Sequence, residues 1–90
     1  MYDASQHLHI GYYEDGYDYE VIAYKREKEA VWDVFVEEYD PKLYRSVSKV
    51  GNWVSVKGHG LHIFSISDND LSYEHGARLF KNFLVDKGIV

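Results

Sequence analysis

Two histidines and one carboxylate form the motif with the most specific chemistry in this sequence. The run His7-Leu8-His9 places two imidazoles at positions i and i+2, which point the same way on a β-strand. If the chain turns back at Asp15-Gly16, Glu20 lies diagonally near His9 on the facing strand. Two imidazoles and a carboxylate can bind zinc or ferrous iron, so a small metal-dependent enzyme is one hypothesis. A His-x-His pair on an exposed strand is also common by chance, and we expect neither a metal nor another cofactor.

The remaining chemistry-bearing residues form no comparable pattern. His59 lies in Gly58-His59-Gly60, which is predicted to enter a strand and therefore lacks the helix N-terminus that would hold a phosphate. His62 is expected to lie against Phe64 or a helix, and His75 to be a solvated residue in the first turn of a helix. No serine occupies a nucleophile elbow, and the chain has no cysteine. We therefore expect a protein that is not an enzyme.

The charges of the chain are distributed very unevenly. Residues 1–40 contain 11 of the 15 carboxylates and three cations, for a net charge of −8, whereas residues 41–90 carry +3. Seven of the nine tyrosines also lie in the acidic part. Such asymmetry concerns partners and association rather than the fold, and carboxylates interleaved with tyrosine predict a surface that recognises a basic partner. The acidic total argues against direct binding of nucleic acid, which needs a basic footprint.

A β-hairpin around Asp15-Gly16 is the best-defined local element. This residue pair favours a type I′ turn, and it lies between two runs rich in β-forming residues. In the register of a two-residue loop, Leu8 opposes Ala23 and Ile10 opposes Val21, so one face of the hairpin is nearly all apolar. A slip by one residue would destroy that sorting, which therefore predicts this register.

The rest of the chain divides into further short elements. Residues 30–39 are predicted to form a strand, since their apolar side chains alternate with others. A helix there would begin with basic residues and end with acidic ones, which opposes the helix dipole. Gly51-Asn52 predicts a turn between two more strands, and Gly88 a helix C-terminus. The predicted ranges are strands at Leu43–Val50 and Trp53–Lys57, a central strand at Leu61–Ile66, and a helix from about Leu71 to Lys87 capped by Asp68-Asn69-Asp70.

These elements predict a single domain over residues 1–90 of the α+β class. Its antiparallel sheet has five or six short strands, and one C-terminal helix packs on one face. The longest uncharged stretch, Gly58 to Ser67, is far too short to span a bilayer, so no membrane contact is expected. The absence of cysteine indicates a reducing compartment, and we expect a cytoplasmic protein.

One helix covers only one face of such a sheet, so the opposite face stays solvated or meets a partner. By strand alternation that face carries His7, His9, Tyr13, Asp18, Glu20, Ile22, Tyr24, Asp33, Phe35, Glu37 and Tyr39. From these we predict a partner-binding set of Tyr13, Asp18, Glu20, Tyr24, Asp33, Phe35, Glu37 and Tyr39.

Two non-catalytic functions are compatible with this face. In the first, a small modulator docks the face on a basic protein, such as a nucleic-acid-binding protein whose phosphate site the carboxylates mimic. Small acidic inhibitors encoded by mobile elements are proteins of this physical type. In the second, the acidic half of one copy pairs with the basic half of another, which gives a homodimer or larger homo-oligomer.

Overall fold

A computed structural model describes residues 1–90 and has one five-stranded antiparallel sheet with two helices. Its strand order is β1-β2-β3-β5-β4, with β1 and β4 at the edges. The predicted α+β class is therefore confirmed, with one helix more than expected. The elements are β1 (Tyr2–Tyr12), β2 (Tyr19–Arg26), β3 (Val31–Val36), α1 (Pro41–Ser48), β4 (Val54–Val56), β5 (Gly60–Ser67) and α2 (Tyr73–Asp86).

The first hairpin has the predicted register. Leu8 faces Ala23 and Ile10 faces Val21 across β1 and β2. Asp15 and Gly16 both have positive φ, 53° and 80°, as a type I′ turn requires. Apolar side chains are thereby gathered on one face of both strands, which becomes the core face.

The hydrophobic core lies between that face and both helices. Its fifteen buried residues include Leu43 and Val47 from α1 and Phe80 and Leu84 from α2. Helix α2 packs closely on β1 at Gly76, where a Cβ would come within 2.8 Å of the Ile10 side chain. Neither helix is long and apolar enough to cross a membrane.

The predicted strand at Leu43–Val50 is wrong, because residues 43–48 belong to helix α1. Asp40 is the N-cap, its side chain accepting a hydrogen bond of 3.2 Å from the Leu43 amide, and Pro41 follows in the first turn. Both residues are favoured at a helix start. Leu43 and Val47, four residues apart, then reach the core together, so Gly51-Asn52 follows a helix rather than connecting two strands.

The C-terminal helix starts two residues later than predicted and has a different cap. Ser72, and not Asp68-Asn69-Asp70, is the N-cap and accepts from the His75 amide at 3.1 Å. Asp68 instead accepts from the Asp70 amide in the preceding turn. At the other end Gly88 has a φ of 71°, as expected of a residue that terminates a helix.

Two bulges interrupt the ladders and shape the face opposite the helices, which we call the second face. In β1, Tyr2 pairs with Arg26 and His7 with Tyr24, so residues 3–6 lie opposite only one residue of β2. In β5, the register shifts between the partners of Val34 and Phe35. The bulge in β5 places His62 and Ser65, three residues apart, on the second face together.

Candidate functional site

The centre of the second face is covered by the chain itself. Phe35 is fully buried there, because the rings of Tyr2, Tyr24 and His59 pack over it with centroids 5.8, 5.8 and 5.2 Å from its own. The edge-on and tilted arrangement of these rings is typical of stabilising aromatic pairs. We call Tyr2, Tyr24, Phe35 and His59 the aromatic cluster. It makes a second, smaller core beneath the bulged part of β1.

Asp33 lies buried beside this cluster and fixes Tyr2 on the face. Its carboxylate accepts from the Tyr2 hydroxyl at 2.6 Å, from Arg26 Nε and Nη2 at 2.9 and 3.0 Å, and from Ser65 Oγ at 2.6 Å. Burial acts to raise the pKa of Asp33, but the hydrogen bonds from Arg26, Ser65 and Tyr2 outweigh it and lower the pKa to about 2. Asp33 is therefore ionised at neutral pH, and its contacts are structural.

The neighbouring Ser65 and His62 complete a serine, histidine and aspartate group that is not arranged for catalysis. Ser65 has one hydroxyl hydrogen, which it donates to Asp33. His62 Nε2, 2.8 Å from Ser65 Oγ, must then be the donor in their hydrogen bond. A nucleophilic serine needs the opposite direction, with the hydroxyl donating to an unprotonated imidazole nitrogen. The group consequently has no activated nucleophile.

An acidic groove lies on the same face, at the end of β2 away from Arg26. It has a volume of about 470 Å³, and its lining contains four carboxylates and neither lysine nor arginine. The four come from the turn before β2, from β2 itself and from the segment between β3 and α1. The full lining is His9, Asp18, Glu20, Ile22, Glu37, Tyr39, Asp40 and Pro41.

None of the four groove carboxylates makes an ion pair, in contrast to others in the acidic half. Glu14 pairs with Lys81, and Glu29 and Asp33 both pair with Arg26. Lys57 lines an adjoining cavity without reaching a carboxylate. No lysine or arginine of the chain therefore forms an ion pair in this groove, although Asp40 also serves as the N-cap of α1.

Two exposed tyrosines border this groove. Partial burial, followed by the charge of Glu20, raises the pKa of Tyr13, and hydrogen bonding to Glu37 raises that of Tyr39. Both phenols therefore stay protonated at neutral pH and keep a donor. The Tyr13 ring lies over Gly11, where any Cβ would overlap it. Glycine at that position lets the ring lie flat on the strand.

An apolar groove adjoins the acidic groove and shares His9 and Ile22 with it. Its volume is about 510 Å³, and its lining is Met1, Tyr2, Asp3, Ala4, His7, His9, Ile22, Tyr24 and His59. The bulge of β1 forms its rim. Hydrogen bonds from Ser5 and Gln6 hold the Asp3 carboxylate in that bulge and lower its pKa to about 2.

The metal hypothesis lacks its third ligand in this geometry. The rings of His7 and His9 are neighbours, with centroids 5.8 Å apart. However, no three histidine, aspartate or glutamate side chains converge to hold an ion anywhere in the chain. Glu20 pairs with Gly11 in the ladder and lines the acidic groove together with His9, but no third ligand completes a site there.

The eight residues predicted to bind a partner divide into three sets. Asp33 and Phe35 are buried, with 3% and 0% of their surface exposed, so they lie beneath the surface that a partner would meet. Tyr24 is half-buried in the aromatic cluster. The other five surround or line the acidic groove: Tyr13, Asp18, Glu20, Glu37 and Tyr39. The expectation that His62 lies against Phe64 or a helix is wrong: its ring lies 5.4 Å from that of Phe35 on the second face, because the bulge in β5 turns it there. Sequence reasoning also did not place Tyr2, His59 and Ser65 in this group.

Comparison with known families places the chain in one of them. A family model described as "Protein of unknown function (DUF3986)" matches residues 1–87. The chain belongs to the DUF3986 family. Among curated proteins and among solved structures, none matches it. The features of this DUF3986 chain that bear on its function are the two grooves and the buried Asp33 group.

Proposed function

We propose that this protein is a non-catalytic binding module that docks the acidic groove of its second face on a basic surface of a partner protein. The observation that carries the proposal is a groove lined by four carboxylates and by no lysine or arginine. None of the four carboxylates forms an ion pair. Unpaired like charges repel one another and are stabilised when an opposite charge arrives. Tyr13 and Tyr39 add exposed aromatic area of the kind found at the centre of binding sites.

The arrangement of cations supports the same proposal. Arg26 is engaged by Asp33 and Glu29, and Lys25 donates to the Arg26 carbonyl oxygen, at the end of β2 far from Glu20. These cations therefore leave the field at the groove intact. A nucleic-acid-binding protein is one basic partner that this field fits, because the groove carboxylates would take the place of nucleic-acid phosphates on its surface. The lack of cysteine suits a cytoplasmic location.

A titration with hexalysine tests the proposal, and binding is detected as changes in the amide NMR chemical shifts. At low salt we expect shifts concentrated at the groove, around Asp18, Glu20 and Glu37. The shifts should shrink at about 0.15 M salt, where the screening length is about 8 Å. Shifts spread equally over the exposed carboxylates of α2 would contradict a defined binding face, because they would report only the total charge.

Self-association is a second candidate, favoured by a different observation. Lys42, Arg45 and Lys49 lie three and four residues apart along α1 and its C-cap, are exposed, and make no ion pair. They could enter the acidic groove of another copy. Sedimentation equilibrium at low and high salt distinguishes the two functions: a dimer that dissociates in salt supports the second, and a monomer throughout supports the first.

A further inference from the structure

The acidic groove and the apolar groove form one continuous surface of two chemical kinds. His9 and Ile22 line both, and His59 connects the apolar groove to the cavity beside Glu37. Tyr2, Ile22 and Tyr24 thus line one end of this surface, and the carboxylates of the acidic groove line the other end. A ligand that only carried positive charge would leave the apolar part unused.

The apolar groove is held open by the chain's own structure. The bulge in β1 is fixed by the Asp3 hydrogen bonds, and Tyr2 at its base is fixed by Asp33. The site is therefore largely formed before anything binds, which reduces the cost of ordering it. Its volume of about 510 Å³ is more than enough for one large side chain.

We infer that the partner segment is extended and carries one apolar or aromatic side chain and, two residues away from it in the sequence, a lysine or arginine. The inference rests on the proposed function and specifies its ligand. The apolar side chain occupies the apolar groove against Ile22 and Tyr24, and the cation reaches Glu20 and Glu37.

The spacing follows from the geometry of β2. Ile22 and Glu20 are two residues apart on the same face, which is about 7 Å along a strand. A ligand must present its apolar and cationic groups at the same separation. In an extended peptide, side chains at i and i+2 meet this requirement, because they point the same way about 7 Å apart. A cation adjacent in sequence to the apolar residue would point away from the carboxylates.

Three short peptides test the inference by NMR titration at low salt. The first, acetyl-Gly-Phe-Gly-Lys-Gly-Lys-Gly-amide, has the required spacing. The second replaces Phe with Gly, and the third replaces both Lys with Gln. We expect the first to bind about tenfold more tightly than the second, since an aromatic side chain leaves water, and the third to bind most weakly.

A variant that fills the apolar groove from its rim shows where the aromatic side chain lies. Ala4 is exposed and lines this groove, so Ala4→Phe occupies it without removing a core contact, and Ala4→Ser is the matched control. We expect Ala4→Phe to abolish the advantage of the first peptide and Ala4→Ser to retain it. Retention of the advantage in Ala4→Phe would overturn the inference.

The remaining outcomes separate this inference from the function on which it rests. Equal affinity of the first two peptides overturns the inference and leaves the proposed function standing. No binding of either overturns both. A dimer of the free protein that Ala4→Phe dissociates would show that a second copy fills the apolar groove, which also overturns the inference.

Discussion

Replacing Asp33 with Asn tests the buried hydrogen-bond group that holds the second face together. The carboxylate is 3% exposed and accepts four hydrogen bonds, two of them from Arg26. Its pKa is lowered from 3.8 to about 2 in the folded protein. The difference between these two pKa values corresponds to roughly 2.5 kcal/mol of stability in the ionised form. Asp33→Asn should therefore lower the free energy of unfolding by about that amount at pH 7.

The pH dependence gives this prediction a definite sign. Because the folded-state pKa of Asp33 lies below the unfolded value, its contribution is complete above about pH 4 and is lost as the pH falls towards 2. Urea unfolding followed by tryptophan fluorescence should show the deficit of Asp33→Asn falling to about half at pH 3. Asp70→Asn, an exposed carboxylate, is the control and should cost little. An Asp33→Asn deficit that is the same at pH 7 and pH 3 would refute the reasoning.

Three further substitutions test local features. Gly60→Ala should destabilise by about 3 kcal/mol or more, because its φ is 115° and a Cβ would overlap a backbone carbonyl, whereas Gly58→Ala, with open space, should cost only about 1 kcal/mol; equal losses in thermal melts would contradict this. Ser72→Ala should cost about 1 kcal/mol by loss of the helix cap, measured by urea unfolding. Gly11→Ala should displace the Tyr13 ring and weaken hexalysine binding as much as Tyr13→Ala, with an unchanged melting temperature; full binding would show that the ring is not a contact.

The parts of the fold that could be predicted from sequence depend on local signals. The register of the first hairpin follows from Asp15-Gly16 and the alternation around it, and α2 follows from a regular apolar stripe ending at Gly88. Helix α1 was missed because Gly51-Asn52 was interpreted as a turn between two strands. Asp40-Pro41, a cap followed by proline, was the signal that identifies it.

The candidate site could be predicted only in part, because its buried half depends on irregular pairing. The alternation of side chains along β3 correctly predicted that Asp33 and Phe35 lie on the second face. It did not show that Tyr2 and His59 cover them. Tyr2 is 31 residues from Asp33, and their contact requires the bulge in β1. Such bulges depend on tertiary packing and on a few side-chain hydrogen bonds, which no periodic pattern reveals.

The central claim is that position, and not total charge, makes the second face a binding site for basic partners. The most direct measurement compares hexalysine affinity in two triple variants with the same change in net charge. One neutralises the groove with Asp18→Asn, Glu20→Gln and Glu37→Gln, and the other neutralises exposed carboxylates in and just before α2 with Asp70→Asn, Glu74→Gln and Asp86→Asn. We predict that the groove variant binds at least about tenfold more weakly while the α2 variant binds like the wild type. An equal loss in both variants would contradict the claim.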